Sequence, residues 1–270
     1  MRILFIGGGN MATALIGGML QQGFKPADFR VVELSAEARA RLGQEFGVAT
    51  DERLGASVLT EDVVLLAVKP QSLAAVASDL RPRLGSQLVI SIAAGIRVAD
   101  LSRWLGGYGR IIRVMPNTPA LVRAGVSGMY AAPGTTRADQ DAAERILSAV
   151  GAVIRLDREE LVDGITAVSG SGPAYVFYFI EALMQAAMEL GFDEQQARTL
   201  AIETFSGAAK LAAGSPEPAS VLRARVTSKN GTTERALKTL DAHAVKDKIV
   251  EAIHAAARRS AELGDELGKG

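Results

Sequence analysis

The chain has 270 residues, 48% of them hydrophobic, and its 30 Lys+Arg are balanced by 30 Asp+Glu. This balance argues against a nucleic-acid-binding protein, which normally carries a basic surplus. The lack of cysteine excludes disulfides and thiolate metal sites, and two histidines are too few for a histidine-rich metal centre, so no metal is expected.

The N-terminal segment enters an apolar strand within its first few residues, without the charged leader and cleavage site of a signal peptide. The most apolar segment, Pro173–Leu190, contains Glu181, Gln185 and Glu189, which make it a poor membrane span. We therefore expect a soluble cytoplasmic protein that binds neither membranes nor nucleic acids.

Short β-type runs alternate with helical runs over roughly the first 155 residues. Apolar strands separated by helices are typical of a parallel sheet covered on both faces, and right-handed crossovers then give a doubly wound fold. The predicted strands are 3–6, 29–34, 63–68, 88–93, 111–115 and 153–156, and the first two predicted helices are 11–22 and 36–46.

Helical patterns alone follow after about residue 158. The segment 173–190 is apolar almost all round and is predicted to be a buried helix. A capping pattern opens a second helix at 194, and a long helix closes the chain at 244–267. We predict an α/β domain over 1–158 and an all-α domain over 159–270.

The all-round apolar helix needs neighbours on every side, and a small helical lobe has few to offer. We therefore expect a second copy of the chain to contribute to its burial, in a homodimer. The alternative is a helix packed wholly within its own chain.

The run Gly7-Gly8-Gly9-Asn10-Met11-Ala12 follows the first strand, opens the first helix and matches G-x-G-x-x-A. The first glycine permits a tight turn, the next in the pattern lets backbone approach a pyrophosphate, and the small Ala12 lets helix and strand pack closely. The anion would lie on the helix N-terminus. The run predicts dinucleotide binding; a nucleoside ligand such as S-adenosylmethionine or a purely structural turn are the alternatives.

Glu33 lies near the end of the second strand, where an acidic residue accepts hydrogen bonds from the adenosine ribose of NAD. A 2′-phosphate would meet like charge there, and neither Leu34 nor Ser35 is basic. Glu33 is also interpretable as a solvated strand-end carboxylate. Ser35 is predicted to cap the next helix, to contact the cofactor, or both.

The ligand crevice of such a sheet lies beyond the carboxyl ends of its strands. The turn Ala67-Val68-Lys69-Pro70 and the residues Ala93 and Ala94 are therefore predicted to line the nicotinamide side of this crevice. Lys69 is either a phosphate or substrate contact or a surface lysine. Asn117, in a loop stiffened by prolines, offers a donor and an acceptor to the same crevice.

Six stretches, taken together, resemble the pyrroline-5-carboxylate reductase family. They are "IGGGNMA", "AVKPQ", "SIAAG", "RVMPNTPA", "VSGSGPAYVF" and "VTSKNGTTERAL", in the family's order from residue 6 to 237. The resemblance implies reduction of 1-pyrroline-5-carboxylate to L-proline by NADPH or NADH. It also implies a Rossmann domain followed by a helical domain that pairs with a partner subunit, in a dimer or a larger homo-oligomer.

The turn before the penultimate helix is the substrate site that the resemblance implies. The amides of Gly231, Thr232 and Thr233 would hold the substrate carboxylate, Ser228 would shape the turn, and Thr233 Oγ would orient the ring nitrogen. Read from the residues alone, the hydroxyls are equally typical of ordinary N-capping. The imine can itself be protonated near neutral pH, so alignment suffices for catalysis and neither histidine is expected to be catalytic.

The chain departs from the family pattern at two places. The family's Ser-Pro-Gly-Gly turn reads Ser228-Lys229-Asn230-Gly231 here, and Asn230 tolerates positive φ. Glu33-Leu34 replaces the residues that suit NADPH, which favours NADH at least equally. A related imine or hydroxyacid reductase and a non-catalytic dinucleotide sensor are the alternative functions.

Overall fold

The computed structural model describes residues 1–55 and 59–269 of the chain. These residues form two compact units. The first comprises Met1–Ser171 together with Ala256–Gly270, and the second comprises Gly172–Ala255. The division of the sequence into 1–158 and 159–270 rests on the change from alternating elements to helices alone, and it stays a prediction.

An eight-stranded sheet forms the first unit, in the order β3-β2-β1-β4-β5-β6-β7-β8. All neighbouring pairs are parallel except β6 and β7, which are antiparallel. The strands are β1 (Ile3–Ile6), β2 (Phe29–Val32), β3 (Ala49–Asp51), β4 (Val63–Leu66), β5 (Leu88–Ser91), β6 (Ile111–Met115), β7 (Gly125–Ala131) and β8 (Gly151–Leu156).

Helices cover both faces of the sheet, as the predicted doubly wound fold requires. Along β1, Ile3 and Phe5 belong to one buried cluster, whereas Leu4 and Ile6 belong to a second cluster on the opposite face. The first cluster includes residues of α1 (Asn10–Gln21), α2 (Ala36–Phe46) and α5 (Arg137–Leu147); the second includes residues of α3 (Pro70–Leu80) and α4 (Val98–Trp104). Burial on both faces explains why these strands read as continuous apolar runs.

All six predicted strands are present, but the sheet also contains two strands that were not predicted. β3 has three residues, too few for an apolar run to be recognised. β7 reads GVSGMYA, and its glycines and serine have low strand propensity. Its antiparallel pairing with β6 is the exception in a sheet whose other strand pairs are parallel, as the predicted doubly wound fold requires.

The remaining helices follow β8, and no described residue after it lies in a strand, as predicted. They are α6 (Leu161–Ile165), which continues into a π-helical turn over Thr166–Gly170, α7 (Gly172–Glu189), α8 (Glu194–Ala213), α9 (Ala219–Arg225), α10 (Thr232–Ala242) and α11 (Val245–Leu267). No helix of the described residues is long and apolar enough to cross a membrane.

The apolar helix α7 is not buried within one chain, which contradicts the alternative of a helix packed wholly within its own chain. None of its residues is buried, and Phe177 and Tyr178 are 59% and 71% exposed. Exposed aromatic side chains on a helix that is hydrophobic all round indicate a surface that another molecule covers.

Candidate active site

The glycine run between β1 and α1 is shaped by close packing at two of its three glycines. Gly7 has φ +101°, and a Cβ there would lie 2.6 Å from the Ala67 carbonyl oxygen. A Cβ on Gly8 would lie 2.7 Å from Leu42 Cδ1 of α2. Gly9 has no neighbour within 4 Å of its Cβ position and faces open space. Gly7 and Gly8 are therefore needed for the fold, whereas Gly9 keeps the approach to the backbone free.

The N-terminus of α1 is open. Its N-cap is Gly9, which has no side chain to cap the helix, and the amides of Asn10, Met11 and Ala12 have no acceptor among the described residues. Free N–H groups and the positive end of the helix dipole suit a phosphate group. Ala12 is fully buried against the sheet, as the small residue of the pattern requires.

A cavity of about 840 Å³ lies beside this N-terminus, within the size range of nucleotide-sized pockets. Of the residues predicted to bind a cofactor, six line it: Gly7, Gly9, Glu33, Ala67, Val68 and Lys69. Leu34, Leu54 and Val76 add apolar side chains to its wall, and the wall also contains the charged residues Glu52, Arg53, Asp79 and Arg83. The open helix terminus and the adjoining cavity fit a dinucleotide with its pyrophosphate on α1 and its adenine against the apolar part of the wall.

Glu33 has a more specific position than a solvated strand-end carboxylate. Its Oε2 accepts the Gly8 amide at 2.7 Å, and its Oε1 accepts the Ser35 amide at 2.8 Å. The carboxylate is therefore fixed at the rim of the cavity, beside the glycine run. Ser35 caps α2, because its Oγ accepts the Ala38 amide at 3.3 Å.

The structure also brings basic residues to this cavity that sequence reasoning missed. Arg53 follows β3, is 82% exposed and lines the same cavity as Glu33. Its Nε lies 3.5 Å from Glu52 Oε1. Arg53 was not recognised because it is 20 residues from Glu33 and follows the short strand β3, which placed it outside the predicted elements. Arg39, which follows Glu33 in the first turn of α2, instead donates to the carbonyl oxygens of Glu33 and Leu34.

The residues that follow β4 and β5 were also predicted to line the ligand crevice. Pro70 is the first residue of α3, and Lys69 is its N-cap, exposed and without a side-chain cap bond. Ala93 is 4% exposed and packs in the core, whereas Ala94 is exposed in the loop before α4. A direct contact of Ala93, Ala94 or Pro70 with a cofactor stays a prediction.

Asn117 is buried, and its amide is used within the protein. Nδ2 donates to the Ser169 carbonyl at 3.1 Å, and Oδ1 accepts the Val126 amide at 2.8 Å. The side chain thereby joins the loop after β6 to β7 and to the π-helical turn. These bonds give Asn117 a structural role in shaping the loop, and its direct contact with a cofactor stays a prediction.

The turn before α10 has an open helix terminus as well. Gly231 is the N-cap, with no side-chain cap bond, and its own amide donates to the Ser228 carbonyl at 3.0 Å. The amides of Thr232 and Thr233 have no acceptor among the described residues. Of the three amides predicted to receive a carboxylate, two are therefore free. Neither threonine hydroxyl caps the helix, so ordinary N-capping does not explain these residues.

Local bonds hold this turn in shape. Asn230 has φ 58°, as expected for the residue that replaces a family glycine, and its amide donates to Glu234 Oε2 at 2.6 Å. Lys238 Nζ lies 3.1 Å from Glu234 Oε1. The contact with Lys238, which has the larger effect, and the bond from the Asn230 amide hold the pKa of the Glu234 carboxyl below its usual value.

The two histidines lie at the surface, away from any cluster of titratable groups. His243 ends α10, and His254 is exposed on α11. The described part of the chain contains no group of three or more His, Cys, Asp or Glu side chains placed to hold a metal ion.

Comparisons with known proteins match both units. A family model described as "Pyrroline-5-carboxylate reductase dimerisation" matches residues 159–263, and one described as "NADP oxidoreductase coenzyme F420-dependent" matches residues 2–95. The chain is similar to the pyrroline-5-carboxylate reductase of Pseudomonas aeruginosa, with 46% identity over 99% of this chain and 98% of the relative. It is 42% identical to that of Haemophilus influenzae, over 97% of each chain.

Solved structures agree with these relatives. A pyrroline-5-carboxylate reductase from Coxiella burnetii superimposes with a TM-score of 0.92 at 39% identity, covering 97% of this chain and 98% of that one. The Plasmodium falciparum enzyme, determined with NADP bound, superimposes with a TM-score of 0.85 at 27% identity, over 98% of each chain.

Proposed function

Because the chain belongs to the pyrroline-5-carboxylate reductase family, we propose that its two open helix N-termini divide the binding of cofactor and substrate between them. As a member of that family it catalyses the NAD(P)H-dependent reduction of 1-pyrroline-5-carboxylate to L-proline, the last step of proline biosynthesis. The single observation that carries the proposal is the pair of helices, α1 and α10, whose glycine caps leave amides unpaired.

The N-terminus of α1 binds the cofactor pyrophosphate, and the adjoining cavity holds the adenosine. The open space at Gly9 and the free amides of Asn10, Met11 and Ala12 support this assignment. Leu34, Leu54 and Val76 offer the adenine an apolar surface. When bound, NAD(P)H supplies a hydride to the carbon of the substrate C=N bond, whose nitrogen is protonated, and this gives the CH–NH group of proline.

The turn before α10 binds the substrate. The amides of Thr232 and Thr233 receive the carboxylate, where the helix dipole favours negative charge. The Thr233 hydroxyl orients the ring nitrogen. A threonine hydroxyl is a poor acid, and the substrate imine carries its own proton, so Thr233 acts by alignment rather than by proton transfer. Ser228 supports the turn through its carbonyl, which accepts the Gly231 amide.

Two groups of opposite charge meet the adenosine ribose. Glu33 presents a carboxylate fixed by two backbone amides, which suits the ribose hydroxyls of NAD. Arg53 lines the same cavity, but its Nε lies 3.5 Å from Glu52 Oε1. Because the carboxylate is held in place while Arg53 is exposed and paired elsewhere, NADH is expected to serve at least as well as NADPH.

A second copy of the chain completes the protein. Residues 159–263 match the family's dimerisation model, and the exposed aromatic side chains of α7 are the surface that a homo-oligomer would cover. We also propose a cytoplasmic location, because the reduced nicotinamide cofactors that the reaction consumes are made inside the cell.

The assay that tests the proposed function follows the oxidation of NADH and of NADPH with 1-pyrroline-5-carboxylate. We expect turnover with both cofactors and a kcat/KM for NADH at least equal to that for NADPH. A preference for NADPH greater than about tenfold, or roughly 1.4 kcal/mol, would contradict the role of Glu33. Binding of NADH without turnover of the substrate would instead support a non-catalytic dinucleotide sensor.

A further inference from the structure

A buried arginine lies in the sheet between the two loops expected at the nicotinamide end of the crevice. Arg113 is in the middle of β6, is 4% exposed, and is paired in register with Ser91 of β5 and Tyr130 of β7. Its Nε has no hydrogen-bond acceptor among the described residues. A buried guanidinium that is incompletely paired is poor evidence for a stabilising role, so another reason for its presence is needed.

One arm of Arg113 fixes the start of α4. Its Nη1 donates to Glu159 Oε1 at 2.9 Å, and the same oxygen accepts the Val98 amide at 2.7 Å. Val98 is the first residue of α4, whose N-cap residue Arg97 makes no side-chain cap bond. Glu159 therefore replaces the missing cap, and Arg113 holds Glu159. The loop Ala93–Gly95 ends immediately before this point.

The other arm points toward the C-terminal part of α11. Arg113 Nη2 lies 4.0 Å from Asp163 Oδ1, and that oxygen accepts the hydroxyl of Ser260, a buried residue of α11, at 2.7 Å. Asp163 thus connects the arginine to the helix that passes over the loop Ala93–Gly95. A Cβ on Gly95 would lie 3.0 Å from Leu267 Cδ1 of the same helix.

Arg97, which follows the loop Ala93–Gly95, also contacts α11. Its Nη1 lies 2.6 Å from Asp265 Oδ1, and its Nη2 donates to the Ala261 carbonyl at 3.1 Å. The loop Ala93–Gly95 is therefore held at its exit by Glu159 and against α11 by Arg97. The second loop, which carries Asn117, begins directly after Met115, the last residue of the strand that contains Arg113.

We propose that Arg113 is a positioning residue for the nicotinamide half of the cofactor. It does not touch the cofactor; it fixes the loop Ala93–Gly95 through Glu159 and Asp163, and the loop after β6 through its own strand. The inference rests on the proposed function and on the prediction that these loops line the nicotinamide side of the crevice. Loss of Arg113 should leave the adenosine end intact, because none of the residues that line the cavity beside Gly9 and Glu33 takes part in these hydrogen bonds and ion pairs.

Arg113→Met is the variant that separates positioning from stability, since Met fills similar volume without a charge. We expect the dissociation constant for NADH to rise, and kcat to fall, each by about tenfold or more. The dissociation constant for ADP-ribose, which lacks the nicotinamide, should stay unchanged. Arg113→Lys keeps the charge and should recover part of the lost NADH affinity.

Arg110→Met is the matched control. Arg110 precedes the same strand, at its other end, and forms a buried ion pair with Asp139 at 2.5 Å. This variant should lower thermal stability and leave kcat and the NADH affinity unchanged. A folded Arg113→Met protein that binds NADH and turns over like wild type overturns the inference, as do NADH and ADP-ribose affinities that fall equally.

Ser260→Ala serves if Arg113→Met does not fold. It removes one hydroxyl from the same network and should weaken NADH binding less, again without an effect on ADP-ribose; an unchanged ratio of the two affinities overturns the inference. Failure of the proposed function is distinguishable, because the wild-type protein would then bind NADH and leave 1-pyrroline-5-carboxylate unreduced. Both binding measurements are independent of turnover.

Discussion

The N-termini of α1 and α10 have nearly the same cap geometry in different surroundings. Gly9 caps α1 with φ −73° and ψ −173°, and Gly231 caps α10 with φ −84° and ψ 176°. Around α1, core packing shapes the loop, since Cβ atoms on Gly7 and Gly8 would clash with Ala67 and Leu42. Around α10, the turn is exposed, and local hydrogen bonds to Ser228 and Glu234 shape it.

Three other helices begin differently from these two. Ser35, Thr136 and Asp193 cap α2, α5 and α8, each accepting an amide from the first turn of its own helix. A side chain that accepts an amide of the first turn leaves fewer free amides for a ligand and occupies the space in front of the helix. A capped helix should therefore lose stability when its cap is removed, whereas α1 and α10 should lose ligand affinity when their amides are blocked.

Gly9→Ala tests the rigid site and should have the largest effect on ligand binding. The methyl group enters open space, and the φ of Gly9 suits alanine, so the fold should be unaffected. It blocks the approach of a pyrophosphate to α1. Loss of two charge-assisted hydrogen bonds at about 1.5 kcal/mol each would weaken NADH binding by roughly 100-fold. Isothermal titration with NADH measures this.

Gly43→Ala is the control for Gly9→Ala, because Gly43 also has no neighbour within 4 Å of its Cβ position and lies inside α2. It should keep wild-type affinity and gain slightly in stability, as alanine favours a helix. Equal NADH affinity for the two variants would show that α1 does not bind the pyrophosphate.

Thr232→Pro tests the exposed turn. Thr232 is the first residue of α10, where proline is tolerated, and the extended Gly231 before it is compatible with a following proline. The change removes one free amide and leaves the helix in place. Loss of one hydrogen bond to a carboxylate, about 1.5–3 kcal/mol, should lower kcat/KM for 1-pyrroline-5-carboxylate by roughly 10- to 100-fold. The affinity for NADH should not change.

Glu194→Pro supplies the matching control, since Glu194 is the first residue of α8 and follows Asp193, which is also extended. Steady-state kinetics of both variants, with circular dichroism to confirm their helices, compare the two positions. If Thr232→Pro has the same kcat/KM for 1-pyrroline-5-carboxylate as Glu194→Pro, the substrate carboxylate does not bind at this turn.

Much of the fold could be predicted because its strands are buried on both faces. Ile3–Ile6 is a continuous apolar run and Ile111–Met115 is apolar except for Arg113, and the bounds of both segments agree with the structure. β7 could not be predicted from periodicity, because its glycines and serine are selected by contacts: a Cβ on Gly128 would lie 2.7 Å from Ile165 Cγ1. Exposure of α7 could not be predicted either, since apolar residues look alike whether their own chain or another covers them.

In the candidate site, too, features set by neighbouring residues could be predicted, whereas contacts between residues far apart in sequence could not. The glycine run, the cap role of Ser35 and the positive φ of Asn230 were predicted, since each depends on a few consecutive residues. Asn117 was expected to face ligand but is bonded to Ser169 and Val126. The Arg113 network was not foreseen at all, since Glu159 is 46 residues away in sequence.

The cap of α5 provides the opposite case to α1 and α10, a helix terminus whose charge contributes only to stability. Asp139, 3% exposed, bonds to Arg110 at 2.5 Å and to the Thr136 amide at 2.8 Å. These bonds, opposed by burial, lower the pKa of Asp139 from 3.8 to about 2. Since the folded protein holds this carboxyl ionised, its contribution is complete above about pH 4 and is lost as the pH falls toward 2.

Urea denaturation between pH 7 and pH 2 should show this loss as on the order of 2 kcal/mol of unfolding free energy. Asp139→Asn should remove that part of the pH dependence and lower stability at pH 7, because Arg110 loses its ionised partner. Asp141→Asn, on the exposed side of α5, should alter the profile little, since solvent screens its ion pairs with Arg137 and Arg155. An Asp139→Asn profile as steep as wild type would assign the acid sensitivity to another carboxyl. Turnover at pH 7 should stay at the wild-type level in both variants, because a capped terminus binds no ligand.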